Sequence, residues 1–420
     1  MARFRDVLKE RNFFLLWLGQ VISQFGDRLD HMALIGLVYA KAPGSTLQLA
    51  KLLSFTIIPL VIFGPIAGAY VDRWDRKKTL IVCDILRGLL VVAIPLSLFF
   101  TKAILPVYCI VFCVFAIGCL YIPARLSIIP SLVQGEKLLL ANSISTTSSV
   151  VAAFMGFAIG GVLVEFVGTN GAFFIDAGTY LVSAILIFGI KPSCAKVSET
   201  APACKPCPIK NSILRDVKDG LLYLKGRRDA RFVTNVMVLL MGAVGCIYAV
   251  GVVFVQESLH TVTLDLSVIG LFLGMGFFVG SVLYGKFGQK LNKAKTMSFG
   301  LCATGILICA FASALKFYTS YFVVWASALG LGAAVAPVVV SSNTLIHEIT
   351  QDGLRGRIFT LLGALMSASM LVFMFLTAYL AEWIHRAWIL FGTGAIVASF
   401  GPWAAFHTFA AKKPHPQGRG

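Results

Sequence analysis

Four residues with ionisable side chains stand close together in an apolar stretch near the N-terminus: Asp27, Arg28, Asp30 and His31. On a helix, Asp30 and His31 follow Asp27 by three and four residues, so the three side chains share nearly one face. Two carboxylates beside an imidazole can share or relay a proton, because histidine changes its charge near neutral pH. The pattern predicts a proton-relay or cation-binding site. The alternative is a self-neutralising salt bridge of Arg28 with Asp27 or Asp30.

The composition indicates which kind of element must hold these charges. Of 420 residues, 58% are of the types AVILMFWYC and only 13% are Asp, Glu, Lys or Arg. Soluble domains average about 45–50% apolar and about 25% charged residues, so this chain is predicted to lie in lipid. A bilayer admits helices or closed barrels, and about 20 apolar residues cross it as a helix. The sequence therefore predicts an all-α integral membrane protein with twelve spans, at 13–40, 47–71, 79–100, 103–125, 143–166, 171–190, 232–256, 266–285, 296–315, 319–344, 357–382 and 386–410.

Charged residues inside such spans are expensive and are typical of functional sites. Asp27 lies about 21 Å beyond Phe13 along a helix, which predicts a position in the outer half of the membrane. Asp176 is alone in its span and is either protonatable or a partner for neighbouring helix ends. Arg125, near the end of its span, either joins a charge network or binds an anionic group. The alternative for Arg125 is that its long side chain extends to the membrane interface.

The basic residues predict the orientation of the chain. If the N-terminus is inside, 29 of the 36 Lys and Arg fall in loops and tails on that side, and five fall on the other. Basic loops stay cytoplasmic, so both termini are predicted to be cytoplasmic. The same distribution excludes a nucleic-acid partner, because the net charge of +17 is spread over separate loops without a reading module.

The longest loop, 191–231, separates six spans from six. It begins with a Pro-rich linker and continues with an amphipathic pattern that predicts a helix on the membrane surface. With a constant offset of 217 residues, Gly68 falls on Gly285 and Lys78-Thr79 falls on Lys295-Thr296. This register indicates a duplicated six-helix unit. Three regions are predicted: an N-terminal bundle at 1–190, a cytoplasmic linker at 191–231, and a C-terminal bundle with a basic tail at 232–420.

The loop that begins at Gly68 carries a pattern that resembles the signature of the major facilitator superfamily. It reads Gly68-Ala-Tyr-Val-Asp72-Arg73-Trp-Asp-Arg76-Lys-Lys. The segments RNFFLLWLGQVISQFGD, CDILRG, LVQGEKLLLANS and FFIDAGTYLVSA are similar to the branch that holds bacterial macrolide, drug and siderophore exporters. The resemblance implies the twelve-helix fold with two pseudo-symmetric halves, and it favours a structural role for Asp176.

The resemblance also implies a cytoplasmic gate. The resemblance implies that Asp72 contacts the N-terminus of a helix, with Arg73 and Arg76 in a charge network. A helix N-terminus attracts an anion, because its free N–H groups and the helix dipole carry partial positive charge. The alternative is that this basic cluster only sets the orientation of the chain.

We assign two further groups to the gate: Asp84 with Arg87, three residues apart in the cytoplasmic half of their span, and Arg125. A charge pair of Asp84 and Arg87 that serves the inner gate is preferred to substrate contact.

A second family signature reads Gly-Pro followed by Gly-Gly in the fifth span. Here the segment is Gly156-Phe157-Ala-Ile-Gly160-Gly161, and the spacing of Gly156 and Gly160 permits close helix packing. Phe157 stands where the family has proline, and this departure weakens the expectation of antiport.

These observations predict a secondary active transporter that exports a small amphipathic or cationic compound, such as a drug, macrolide or siderophore, by alternating access. The cluster at Asp27 is expected to face a central cavity and couple proton entry to export. The alternatives are a lysophospholipid or lipid flippase on the same fold and a non-transporting receptor or scaffold.

Neither an enzyme nor a cofactor is predicted, because no nucleophile-base pair, Walker loop or dinucleotide fingerprint is present. Cys204 and Cys207 lack the second pair that a zinc site needs, so no metal is predicted. The expected partners are a small molecule, membrane lipid and protons. We expect a monomer in a bacterial inner membrane.

Overall fold

The computed structural model describes residues 4–71, 74–101, 103–133, 137–191, 226–288, 291–318, 320–350 and 355–409. Every regular element in these ranges is helical, which confirms the all-α prediction. In chain order the helices are α1 Phe4–Leu8, α2 Arg11–Lys41, α3 Thr46–Val71, α4 Arg76–Phe100, α5 Leu105–Leu132, α6 Lys137–Phe188, α7 Arg228–Cys246, α8 Val252–Leu259, α9 Leu264–Phe287, α10 Lys293–Ser313, α11 Tyr321–Ile349, α12 Arg355–Leu380 and α13 Arg386–Phe409. Single π-helical turns, Ile247–Gly251 and Ala314–Tyr318, follow α7 and α10.

The long helix α6 is divided by Gly168. This residue has φ 74° and ψ 168°, which are not helical values. Residues with a Cβ rarely adopt such a positive φ, so glycine permits the break. The predicted spans 143–166 and 171–190 lie on either side of this position.

Nine helical segments of the described chain are long and apolar enough to cross a membrane, with Lys137–Phe188 counted as one segment. Helix α2 is not among them, and it carries the charged cluster at Asp27. Exclusion of α2 follows from its polar residues and not from its length, since it has 31 residues. The count of twelve spans stays a prediction.

The described residues form two compact units. The first comes from Met1–Leu214 together with Thr261–Ser267, and the second from Arg215–His260 together with Val268–Gly420. Most of the predicted linker, residues 192–225, lies outside the described residues, as do Cys204 and Cys207 and the predicted surface helix.

The first unit is built on close contact between α2 and α6. Gln20 on α2 is buried, donates through Nε2 to Ser149 Oγ at 2.6 Å, and accepts from Ser145 Oγ at 2.7 Å. Trp17 donates through Nε1 to Ser148 Oγ at 2.8 Å. Helices in lipid gain little from apolar burial alone, so such hydrogen bonds and small residues fix their register. This contact brings the charged part of α2 against the second half of α6.

Candidate functional site

The candidate site centres on Asp27 of α2, in the first unit. Arg87 of α4 donates through Nη2 to Asp27 Oδ1 at 2.6 Å. Tyr180 of α6 donates its hydroxyl to the same oxygen, and its ring lies under the guanidinium, with 4.4 Å from Arg87 Cζ to the ring centroid. One carboxylate therefore joins three helices through a charged hydrogen bond, a phenolic hydrogen bond and a cation–π contact.

The ion pair of Arg87 is with Asp27, while Asp84 is within electrostatic range of Arg87, and the predicted gate role of Asp84 and Arg87 stays a prediction. Asp84 is fully buried, and its Oδ2 accepts a hydrogen bond of 2.6 Å from Ser183 Oγ on α6. Arg87 is close to the midpoint of α4, about 16 Å from its first residue.

The side chains of Asp27 and Arg87 are in contact, and their predicted positions in the outer and the cytoplasmic half of the membrane stay predictions. The charges of α2 and α4 form one cluster instead of two.

Two more carboxyl groups adjoin this cluster. Asp30 and Asp176 are buried, with exposed fractions of 3% and 0%. Thr179 donates through Oγ1 to Asp176 Oδ1 at 3.2 Å, while Asp30 Oδ1 and Asp176 Oδ2 have no hydrogen-bond partner among the described residues. Each of the two carboxyl groups is within electrostatic range of Asp27 and of Arg87.

Arg28 lies beside an aromatic ring of α6. Its guanidinium carbon lies 5.2 Å from the centroid of the Phe157 ring on α6. The self-neutralising salt bridge of Arg28 with Asp27 or Asp30 is absent from the ion pairs of the described chain. The ring of His31 lies 5.3 Å from Phe115 in an edge contact and 6.2 Å from Phe157. The cation and the imidazole thus lie among aromatic rings.

The glycines of α6 lie where that helix approaches its neighbours. A Cβ on Gly156 would lie 2.7 Å from Cβ of Arg28, and one on Gly160 would lie 3.4 Å from Cα of Leu29. Gly161 accepts a hydrogen bond of 2.9 Å through its carbonyl oxygen from Thr263 Oγ1, within the first unit. The lack of side chains at Gly156 and Gly160 lets α6 lie directly against the charged turn of α2.

Among the described residues of the predicted gate, Arg76 and Arg125 have separate hydrogen-bond partners. Arg76 opens α4 and donates through Nη1 to the carbonyl oxygen of Ser127 at 2.9 Å. Arg125 has a long contact of 3.4 Å from Nη1 to Ser149 Oγ. Gly68 lies within α3. Asp72 and Arg73 lie outside the described residues, so the predicted contact of Asp72 with a helix N-terminus stays a prediction.

Sequence reasoning missed Tyr180 and Ser183. Both lie on α6, four and seven residues after Asp176, so their side chains follow that carboxylate along one helix face. Polar groups at this spacing in an apolar span are the signal that could have marked them. Their partners Asp27 and Asp84 are 153 and 99 residues away in sequence, so the contacts themselves are invisible in the pattern.

The cluster brings four carboxyl groups around one guanidinium: Asp27, Asp30, Asp84, Asp176 and Arg87. Like charges that share a buried volume repel one another, and burying each of them also has a desolvation cost. The net charge of the cluster therefore depends on how many carboxyl groups hold a proton. Such a group of side chains can take up and release protons, and Asp27 is the carboxylate that directly holds Arg87.

Comparison with known proteins gives matches across the whole chain. A sequence model of the Major Facilitator Superfamily matches residues 16–275 and 233–420. The chain is 27% identical to the uncharacterized MFS-type transporter YkuC of Bacillus subtilis, over 84% of this chain and 81% of that protein. It is 24% identical to macrolide efflux protein A of Streptococcus pyogenes, over 91% of this chain and 92% of that protein. The crystal structure of the nucleoside transporter NupG is similar in fold, with a TM-score of 0.73 and 11% identity over 95% of this chain and 98% of NupG.

Proposed function

The chain belongs to the major facilitator superfamily and is a multi-pass membrane transporter, and from this premise we propose that it exports a small amphipathic or cationic compound in exchange for protons. The proposed substrates are a drug, a macrolide or a siderophore, moved by alternating access. The similarity to macrolide efflux protein A supports export as the direction. The proposed location is a bacterial inner membrane, with both termini cytoplasmic, and the basic loops support that orientation.

One observation carries the proposal of proton coupling: the ion pair of Asp27 with Arg87. The Asp27 side chain is 27% exposed, whereas that of Arg87 is 7% exposed. Asp27 is therefore the more exposed member of the ion pair, which supports it as the group that exchanges a proton. Arginine stays charged at any physiological pH, so protonation of Asp27 removes the attraction between α2 and α4 without neutralising Arg87.

The same carboxylate gives a physical reason for exchange. A cationic group of the substrate and a proton both neutralise Asp27, and each excludes the other from the carboxylate oxygens. Because the two compete for one group, binding of the substrate displaces the proton, and entry of a proton releases the substrate. The rings of Phe115 and Phe157 near His31 offer apolar surface for the rest of an amphipathic molecule.

The test is transport by the purified full-length chain in liposomes with an imposed pH gradient and a panel of dyes, macrolides and siderophores. We expect flux of at least one compound that stops when a proton ionophore collapses the gradient. The matched control is Glu10→Gln, which removes an exposed ion pair with Lys137 in the same unit and should retain the flux. Flux that does not depend on the proton gradient would contradict proton exchange, and transport of lysolipids alone would favour a flippase.

A further inference from the structure

Arg87 is within electrostatic range of several carboxyl groups, although it is paired with one of them. Asp27 holds its Nη2 at 2.6 Å. Asp84 lies three residues before Arg87 on the same helix, so the two side chains share a face of α4. Asp84 is fully buried, and Ser183 binds only its Oδ2. Asp84 Oδ1 and Arg87 Nε have no hydrogen-bond partner among the described residues, so a carboxyl oxygen and a guanidinium N–H are both available.

The neighbours of Arg87 show which group can replace Asp27 as its anion. The ionisable groups around the guanidinium come from all three packed helices and from α4 itself: Asp27 and Asp30 on α2, Cys83 and Asp84 on α4, Cys119 and Tyr121 on α5, and Asp176 and Tyr180 on α6. Asp30 and Asp176 belong to other helices, whereas Asp84 moves together with Arg87 as part of α4. Asp84 is therefore the carboxylate that stays near Arg87 if α4 separates from α2.

A buried guanidinium without an anion is strongly unfavourable, because its desolvation is then uncompensated. Protonation of Asp27 removes the negative charge that compensates Arg87, but the guanidinium stays buried and charged. The ring of Tyr180 stabilises the cation from one face but does not neutralise it. A second carboxyl group can compensate the charge of Arg87 only if it is ionised when the guanidinium moves to it.

We propose that Asp84 is the alternative counter-ion of Arg87, to which the guanidinium transfers when Asp27 is protonated. The inference rests on the proposed function, since it assumes proton exchange at Asp27. In the first state of the proposed exchange, Asp84 holds a proton and Arg87 is paired with ionised Asp27. When Asp27 gains one proton, Arg87 moves to Asp84, and Asp84 releases one proton. The total charge of the three groups is unchanged, and one proton has passed across the cluster.

A double-variant cycle on thermal stability of the purified chain tests the shared guanidinium without any substrate. Asp27→Asn and Asp84→Asn each remove one of the two proposed counter-ions of Arg87 and leave the other, so each should lower Tm modestly. The variant that carries both changes removes both proposed counter-ions and leaves only Asp30 and Asp176, which belong to other helices, so its loss of Tm should exceed the sum of the two single losses. Adding Arg87→Gln should abolish this excess. Additive losses would overturn the proposal. The control pair, Glu10→Gln with Asp84→Asn, should be additive, because Glu10 is bound to Lys137.

Infrared difference spectra of the same protein, acidic minus neutral pH, provide a second measurement if the double variant does not fold. Lowering the pH should increase the protonated-carboxyl band of Asp27, which is identified by its absence in Asp27→Asn. It should also decrease the protonated-carboxyl band of Asp84, which is identified by its absence in Asp84→Asn. Ser183→Ala should shift the second band, because Ser183 hydrogen-bonds to Asp84. An Asp84 band that does not change, or that rises together with the Asp27 band, would overturn the proposal.

The proposal of proton-coupled export and the proposal of Asp84 as the alternative counter-ion can be refuted independently. Proton-driven flux that depends on Asp27, combined with additive stability losses, would refute the role of Asp84 alone. An excess loss in the double variant and opposite carboxyl bands, combined with flux that ignores the proton gradient, would refute proton-coupled export and leave the shared guanidinium established.

Discussion

At the scale of single residues, a guanidinium near the middle of a membrane helix is stable only when its neighbours compensate for lost water. Arg87 has an anion, Asp27, and an aromatic face, Tyr180. The Tyr180 hydroxyl also donates to Asp27, so one side chain contacts both members of the ion pair. Tyr180 is thus a positioning residue for the carboxylate that we propose to bind protons.

The contribution of Tyr180 can be separated into hydroxyl and ring. Tyr180→Phe removes the hydrogen bond to Asp27 and keeps the ring under Arg87, so we expect a loss of about 0.5–2 kcal/mol in the free energy of unfolding. Tyr180→Leu also removes the cation–π contact and should lose about 2 kcal/mol more. Denaturation of the purified protein in detergent measures both. Equal losses in the two variants would mean that the ring does not stabilise Arg87.

At the scale of helices, the apolar runs located most elements within a few residues, because a bilayer requires long unbroken apolar helices. The predicted span 79–100 corresponds to α4, which begins at Arg76 because Asp75 accepts a hydrogen bond from the Lys78 backbone. Single positions such as Asp27 and Asp176 were recognised by their charge. Their partners were not predictable, because the contact of Asp27 with Tyr180 depends on how α2 packs on α6, which periodicity along one helix does not encode.

The packing of α2 on α6 gives a prediction at Gly26. A Cβ on this residue would lie 2.2 Å from Asp176 Oδ1 and 2.1 Å from Thr179 Oγ1. Gly26→Ala should therefore force α2 and α6 apart and lower the free energy of unfolding by about 1–3 kcal/mol. It should also reduce transport, since Asp27 is the next residue.

The control for Gly26 is Gly178→Ala, on α6, where a Cβ would meet no atom within 4 Å. It should stay within about 1 kcal/mol of wild type, because alanine favours a helix slightly more than glycine does. The measurements are thermal unfolding and flux of Gly26→Ala and Gly178→Ala, compared with wild type. Similar effects of both substitutions would show that close packing at Gly26 is unimportant.

At the scale of the whole molecule, positions 217 residues apart share helix-capping side chains but do not share the charged residues of the cluster. The offset of 217 places Asp75 over Asn292, and both side chains accept hydrogen bonds from the first turn of the next helix. The same offset places Asp84 over Leu301 and Tyr180 over Val397, which belong to the apolar core of the second unit. The ionisable cluster therefore occurs in one of two similar units.

This asymmetry predicts that charges of the second unit do not couple transport to protons. Glu257 accepts a hydrogen bond of 2.7 Å from Arg386, with 42% of the Glu257 side chain exposed. Glu257→Gln should change stability by about 1 kcal/mol or less. Flux in liposomes should keep its dependence on the pH gradient in this variant. A loss of that dependence would place a coupling group in the second unit.

The most direct test of the central claim is proton-driven flux by Asp27→Asn in liposomes, measured beside wild type and Glu257→Gln with a compound that wild type transports. Asparagine keeps the shape of the side chain but binds no proton, so the account predicts that the imposed pH gradient no longer drives accumulation. Asp30→Asn, measured in the same way, shows whether the neighbouring carboxyl contributes. Gradient-driven flux that is unchanged in Asp27→Asn would contradict the account, whatever the result for Asp30→Asn.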